Sequence, residues 1–574
     1  MFVHLIRALS LRACPGNTST RWHRALAVLF ILGASQGLHA QARPDAGQIL
    51  EGIRPPPAAP TRNPDAALPD QEERPAVDDS SSQFVLVRHW RITGAHVFPA
   101  EKLEALIGEF RGQKLKLAEL SAAARRITIY YRQHGYMLSR AYVPAQKVHN
   151  DTVEIAVIEG RLGSIEVTNN SAVAGSLVTK DLAQLRTTGP VEGHSLERSL
   201  LLLDDLPGVE VRSTLKPGAS VGESDLDIQL DRTARLSGSV DADTFGNRYT
   251  GQFRGGGTLN FNEPFHYGDV LSLRADSAGS GMNYGRLAYQ IPVGGAGFKS
   301  GIAVSDMDYK LGKQFESLGA NGTAEVGTLW SAYQLVRNPW KNLAVQLSFD
   351  HKSLEDRINS TDSETHKSLN VGTLGLSGDW TDGLGGGGVN LYSVDLVSGQ
   401  LRLDPATAAV DQGSYGHHTQ GWYSKLSVSY SRTQSLTRGI SLYTSLTGQT
   451  SSKNLDTSET LALGGAYGVR AYPQDESAGD DAAIVNVELR WTVPHLTDMQ
   501  LLTFVDTGTV RANHTPLPTD TNNRRTLTGE GVGMQWIATK SFALRTYLAW
   551  RSGPEPLTDV DRRPRGWLQF VQYF

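Results

Sequence analysis

The chain has 574 residues, 39% hydrophobic and 20% charged, with 59 glycines, one cysteine and a formal charge of −4. It is too long for one small domain, and a lone thiol excludes a disulfide framework or a thiolate metal site. The mildly acidic balance argues against nucleic acid as a partner, and no apolar run approaches the length of a transmembrane helix.

Residues 1–40 read as an export signal. Arg7, Arg12, Arg21 and Arg24, with no acidic residue among them, form a basic n-region. Residues 25–32 supply a short apolar core, and Leu38-His39-Ala40 offers a small residue for cleavage. Removing four arginines shifts the formal charge from −4 to about −8. Cys14 lies inside this signal, where Arg12 and the lack of a preceding apolar core speak against a lipoprotein.

Residues 41–83 read as a linker. Arg-Pro-Pro-Pro-Ala-Ala-Pro at 54–60 favours extended geometry. A short helix is expected around 45–53, where Ile49, Leu50 and Ile53 cluster. A disordered leader is the alternative.

Residues 84–159 predict a small α+β domain in the order β-α-α-β-β. A strand covers 84–93. Pro99 opens a helix with Leu103, Leu106, Ile107 and Phe110 on one face. Leu117, Leu120, Ala124, Ile127 and Tyr131 mark a second helix, which Gly135 stops. Strands follow at 138–143 and 152–158. Residues 160–234 repeat the pattern: a strand at 162–168, a short helix with Leu182 and Leu185, a helix capped by Ser195, and strands at 209–215 and 226–230. Two similar units in tandem form a repeat.

From residue 235 to 574 helical periodicity gives way to strands of about ten residues. Leu287, Tyr289 and Ile291 alternate with Arg286, Ala288 and Gln290. Val485, Val487, Leu489, Trp491 and Val493 share one face, opposite Asn486, Glu488 and Arg490. Leu544, Leu548 and Trp550 oppose Arg545 and Tyr547. Such alternation also fits a soluble sandwich. Long charged side chains on the polar face and an unbroken run of this length favour an outer-membrane antiparallel β-barrel, which leaves no exposed edge. At roughly twenty residues per strand and connection the span holds about sixteen strands. The terminal Phe574 fits a barrel-assembly signal.

Several short motifs then coincide. Gly135-Tyr136-Met137-Leu138-Ser139-Arg140-Ala141-Tyr142-Val143-Pro144, followed by Ile158-Glu159-Gly160-Arg161-Leu162-Gly163, resembles the POTRA pair of two-partner secretion (TpsB) transporters of the Omp85 superfamily. Asp241-Ala242-Asp243 with Gly246-Asn247 resembles that family's first barrel strand and turn. Leu463 to Tyr472, containing Gly468, Val469, Arg470 and Tyr472, resembles its Val-Arg-Gly-Tyr loop, with Ala471 in place of the glycine. Phe504-Val505-Asp506-Thr507-Gly508 resembles its Phe-x-Asp-x-Gly strand. The resemblance covers residues 84–574.

It implies a sixteen-stranded barrel in the bacterial outer membrane behind two periplasmic POTRA domains. The Arg470 loop would fold back into the lumen and pair with Asp506. In a partly wet lumen that pair would contribute on the order of 1–2 kcal/mol. The helix near 45–53 would plug the pore. The partner would be a secreted TpsA-type exoprotein, an adhesin, haemolysin or contact-dependent toxin. It would be recognised unfolded at a groove between the helix of Ile127 and Tyr131 and the strand of Leu138 and Tyr142. Ile127 and Leu138 also read as plain core, so Tyr131 and Tyr142 are the better contacts.

Other chemistry finds no support. His417-His418 lacks a third ligand at metal spacing, residues 385–388 read as a turn, and there is no Gly-x-Ser-x-Gly. No cofactor, catalytic role or nucleic-acid partner is expected. The alternative function is a barrel-assembly insertase, which usually carries more POTRA units. A diffusion porin would not explain the POTRA pair.

Overall fold

Period-two alternation over 340 residues has one outcome in lipid: every strand must find two neighbours. In the computed structural model sixteen consecutive antiparallel strands do so, closing as one barrel from Leu236–Asp243 to Arg565–Tyr573. Residues 43–53, 84–185, 189–518, 520, 522–538 and 541–574 are described. The export signal expected over 1–40 and the Pro-rich stretch over 54–83 lie outside the described residues.

Alternation sets the two faces. On strand Leu496–Arg511, Val505 is 53% exposed on the outer wall, while its neighbours Phe504 and Asp506 are 2% and 0% exposed inside. The strands are not uniform. They run from eight residues in Leu236–Asp243 to twenty in Ser363–Asp382. About 9–11 tilted residues suffice to cross a bilayer, so the longest strands stand clear of it. The ten-residue expectation missed this because a strand keeps its period outside the membrane.

The barrel closes on its first and last strands. They pair over five residues, Gln569↔Asp243 to Tyr573↔Ser239. Phe574 extends the join, its amide donating to the Gly238 carbonyl at 3.1 Å and its carbonyl accepting the Gly238 amide at 3.0 Å. By contrast strands Lys341–Ile358 and Ser363–Asp382 pair over eighteen.

Two α+β units precede the barrel, after a helix α1 (Ala46–Ile53). In the first, β1 (Val85–Val87) and β2 (His89–Thr93) lead to α2 (Ala100–Leu106), β3 (Gln113–Leu115), α3 (Leu117–Gln133), β4 (Arg140–Tyr142) and β5 (Thr152–Ile158). β2 lies parallel to β5 and β4 antiparallel to it. The strand expected over 84–93 is broken at Arg88, because β1 leaves the main sheet to pair with β3. β3 itself is too short to announce a period. Leu103, Ile107, Leu120, Ala124, Ile127, Tyr131 and Ile155 fill the core.

The second unit repeats the order. It comprises β6 (Arg161–Asn169), α4 (Gly175–Leu182), α5 (Gly193–Asp204), β7 (Val209–Pro217) and β8 (Glu223–Arg232). β6 is parallel to β8, and β7 antiparallel to it. Ser195 does not cap α5. The helix starts three residues earlier than that cap implies, with Glu192 at the cap position. This unit grips the barrel's near rim: Arg337 donates twice to Asp205, at 2.7 Å each, and the Ala296 amide donates to Asp181 at 2.6 Å.

Candidate functional site

The connection between strands Ile440–Ser451 and Asp481–Val493, residues 452–480, folds back into the lumen. Leu461–Ala462 and Ala478–Gly479 pair antiparallel at its neck. Its tip is closed by the Val469 amide donating to the Leu463 carbonyl at 2.8 Å. A Cβ on Gly468 would lie 2.1 Å from that carbonyl oxygen, so glycine is required there by close approach.

Arg470 projects from this tip onto the wall. Its Nε and Nη2 donate to the two Asp506 oxygens at 2.9 and 2.8 Å, and its own amide donates to Asp506 at 3.1 Å. Nη1 donates to Glu488 at 2.6 Å, and Arg490 holds the other Glu488 oxygen at 2.8 Å. Asn486 Nδ2 ties Asp506 to the Gly468 carbonyl, both at 2.8 Å. The guanidinium carbon also sits 3.5 Å from the Phe504 ring centroid and 4.9 Å from that of Tyr547.

Two guanidiniums and two carboxylates balance, so no net charge is buried at this junction. Arg470, Glu488 and Asp506 are 4%, 4% and 0% exposed. The partly wet lumen expected of this pair is therefore dry here. Breaking a buried pair by removing one partner costs about 3–5 kcal/mol, above the value for a wet pair.

The rest of the tip is equally fitted. The Trp567 indole donates to the Arg470 carbonyl at 2.7 Å, and the Tyr472 hydroxyl to the Pro554 carbonyl at 2.8 Å. Ala471 is not among the residues of positive φ, so its backbone is one that alanine adopts freely. Its methyl fills the space over Gly529, where a Cβ would lie 2.3 Å from the Ala471 Cβ. Gly508 leaves room in the same way for Leu463 and Val469, whose methyls would come within 3.1 and 3.2 Å of a Cβ there.

Gly468, Val469, Arg470, Tyr472, Phe504, Asp506 and Gly508 thus converge on one junction. Sequence reasoning had read Asn486, Glu488 and Arg490 only as a polar strand face. Their alternation signalled an inward direction but not a partner. Tyr547 carried the same inward signal, opposite Leu544 and Leu548, whereas Trp567 and Gly529 carried none, because barrel closure alone brings them near the tip.

A second constellation holds α1 inside the lumen. Asp45 accepts from Lys367 at 2.8 Å and from the Thr457 hydroxyl at 2.7 Å. The Ala46 amide donates to Asp356 at 2.9 Å. Lys352 lies 3.8 Å from Glu51 and 2.6 Å from Glu459. Ala46, Ile49 and Leu50 pack with Tyr309, Leu354, Leu369 and Leu455. A Cβ on Gly47 would meet the Ser458 amide at 2.6 Å. Loop 452–480 therefore touches α1 with one end and the wall with the other.

The partner-contact residues do not converge. Tyr131 is 1% exposed, contrary to its reading as an exposed aromatic. It lies on the buried stripe of α3, and its hydroxyl donates to Glu159 at 2.7 Å. Leu138 packs against the core of the second unit. Tyr142, on β4, is 37% exposed.

Glu355, Glu364 and His366 stand close enough together for a metal. Arg357 already pairs with both carboxylates, at 2.6 and 2.8 Å, which offsets one of their two charges. His417 meets Asn513 at 3.2 Å.

A closed sixteen-stranded barrel, two β-α-α-β-β units on one rim and a lumen loop seated on the inner wall define the class of protein by its fold: a transmembrane β-barrel with an N-terminal α+β pair. The description Haemolysin secretion/activation protein ShlB/FhaC/HecB matches residues 222–536, and POTRA domain, ShlB-type, matches residues 85–160. The chain belongs to the ShlB/FhaC/HecB family of haemolysin secretion/activation proteins. It is similar to the heme/hemopexin transporter protein HuxB of Haemophilus influenzae (strain 86-028NP), 24% identical over 566 residues that cover 96% of this chain and 98% of that one. The outer membrane transporter CdiB of Dickeya dadantii (strain 3937) is 22% identical over 78% of this chain and 79% of its own. Among solved structures, CdiB from Escherichia coli superposes with a TM-score of 0.68 at 20% identity, covering 89% of this chain and 95% of that one. BamA from Haemophilus ducreyi lacking POTRA domains 1–3 gives 0.51 at 13% identity, covering 85% and 100%. The protein is thus a two-partner secretion transporter of the outer membrane, with its POTRA domains in the periplasm.

Proposed function

We propose that this chain exports one large TpsA-type exoprotein, an adhesin, haemolysin or contact-dependent toxin, received unfolded in the periplasm. The observation that carries the reading is that α1 and the Arg470 loop occupy the lumen on polar holds. Asp45, Lys367 and Thr457 grip one, and Arg470, Asp506 and Glu488 the other. Ion pairs and hydrogen bonds can be exchanged for water or for a passing chain. Export then draws on the cargo's own binding and folding outside, without nucleotide hydrolysis. The residues Gly468, Val469, Arg470, Tyr472, Phe504, Asp506 and Gly508 form the gate latch.

For cargo entry, the exposed edge of β4 with Tyr142 is the contact we favour, by strand addition to the first POTRA sheet. Tyr131 packs beneath that edge in one cluster with Ala141, while Leu138 faces the second unit.

Deleting the gene in its source cell tests the reading. Loss of one secreted protein, with other outer-membrane barrels at normal levels, is the expected result. A general failure of barrel assembly would instead make the chain an insertase.

A further inference from the structure

A polar cavity lies at the far mouth of the barrel from the POTRA units, beside the junction of first and last strands. It is bounded by the first extracellular turn (244–253), the return leg of the lumen loop at Pro473 and Gln474, and the last extracellular loop (552–564). Its volume is about 160 Å³, on a scale where one water needs roughly 10–15 Å³.

Three guanidiniums line it: Arg248, Arg562 and Arg565. One carboxylate serves all three. Asp559, fully buried, takes Arg248 at 2.5 Å, Arg565 at 2.9 Å and Arg562 at 3.9 Å. The neighbouring acids are turned elsewhere. Glu476 is held by Arg525 and by the Leu557 and Thr558 amides. Asp475 accepts from Asn247 and Gln474. Counting Asp475, whose donors are neutral, one positive charge is left over among these three arginines.

One of them is also short of an acceptor. The Arg565 side chain is 5% exposed, and its Nε has no hydrogen-bond partner among the described residues. A buried guanidinium donor without an acceptor is costly, and a planar fork of donors fits a tetrahedral oxyanion better than it fits water.

We propose that this cavity binds a phosphate-class oxyanion, supplied by a phosphorylated outer-leaflet lipid or by free inorganic phosphate. Arg248 and Arg562 contact it, and Gln252 supplies a neutral donor on the same wall. The bound anion neutralises the surplus charge beside Trp567, whose indole holds the Arg470 carbonyl.

The test uses the full-length protein in detergent, titrated calorimetrically with inorganic phosphate, and with acetate at matched ionic strength. Saturable phosphate binding with a Kd of about 1 mM or tighter is expected. Arg562→Gln should weaken it by about tenfold, and Arg248→Gln with Arg562→Gln by more. Arg562 is half exposed, so the single variant keeps its fold, and a melting curve verifies this. Absence of saturable binding overturns the proposal, as does equal binding by wild type and variants. Repeating the titration in phosphatidylcholine nanodiscs with and without phosphorylated lipid A separates the sources. Competition by the lipid assigns its phosphate to the site, and undiminished uptake assigns free phosphate.

Discussion

Arg470 lies flat against Phe504, its guanidinium carbon 3.5 Å from the ring centroid, while the rim of the same group forks onto Asp506. Face and edge of one cation are thus satisfied by residues two apart on a single strand. Period two makes this possible, since Phe504 and Asp506 point to the same side. Lysine could supply the charge but neither the planar face nor the fork.

Arg470→Ala should leave the barrel assembled and sharply reduce secretion. It leaves Asp506 and Glu488 facing each other in a dry site, at a cost of about 3–5 kcal/mol. Arg470→Lys should recover only part of the loss. Secretion titres, alongside heat-modifiable migration of the barrel, measure both, and unchanged secretion in Arg470→Ala would remove its role as a latch.

Gly529→Ala should dislodge the loop tip without touching a charge. The new methyl would start 2.3 Å from the Ala471 Cβ. The double change Gly529→Ala with Ala471→Gly relieves that overlap, though not the 2.9 Å approach to the Trp550 carbonyl, and should restore part of the secretion. If the single variant secretes normally, the close approach is not what seats the tip.

Asp45→Asn should loosen α1. Lys367 would lose one of its two carboxylates and keep Asp456 at 3.0 Å. Weakening by about 1.4 kcal/mol is tenfold in an opening equilibrium, so planar-bilayer recordings should show the open state about tenfold more often. Identical conductance traces would mean that α1 is held by its apolar contacts with Leu354, Leu369 and Leu455 instead.

The first POTRA domain should lose stability in acid through Glu159. Burial pushes this carboxyl up, but the Val97 amide, the Tyr131 hydroxyl and the His96 amide and ring outweigh it and hold the group below its ordinary value. A depressed carboxylate stabilises the fold above its unfolded value, and that contribution disappears as pH falls through the folded one. Amide exchange at His96 and Val97 should therefore accelerate below the usual glutamate range. Glu159→Gln should exchange faster at neutral pH and respond less to acid. A variant with the wild-type pH profile would locate the titration elsewhere.

The barrel and the order of its strands were readable because two-fold alternation survives in every strand, whichever medium the outer face meets. Strand length was not, since nothing in the run 363–382 marks where lipid ends. The Arg470–Asp506 pair came from motif resemblance, and only the structure adds Glu488 as a second carboxylate. Tyr131 is the instructive error. Its spacing from Leu120, Ala124 and Ile127 already placed it on the inner stripe of α3, but the groove implied by the resemblance made it a partner contact. Glu159 supplies the partner that lets a tyrosine be buried. Ala471 shows the converse: the motif departs from glycine there, and Gly529 on a strand some sixty residues away makes the room.

Loop 452–480 receives Asp45 through Thr457 and plants Arg470 on Asp506. Its two ends are joined through the paired neck Leu461–Ala462 and Ala478–Gly479. Plug and latch are consequently linked equilibria rather than two locks in series. Whatever free energy displacing α1 takes from the loop's grip on the wall, releasing Arg470 must take in equal measure from the grip on α1. Under the proposed function, a cargo segment that engages either one would lower the barrier at the other, and the pore would resist ions most firmly with both seated together.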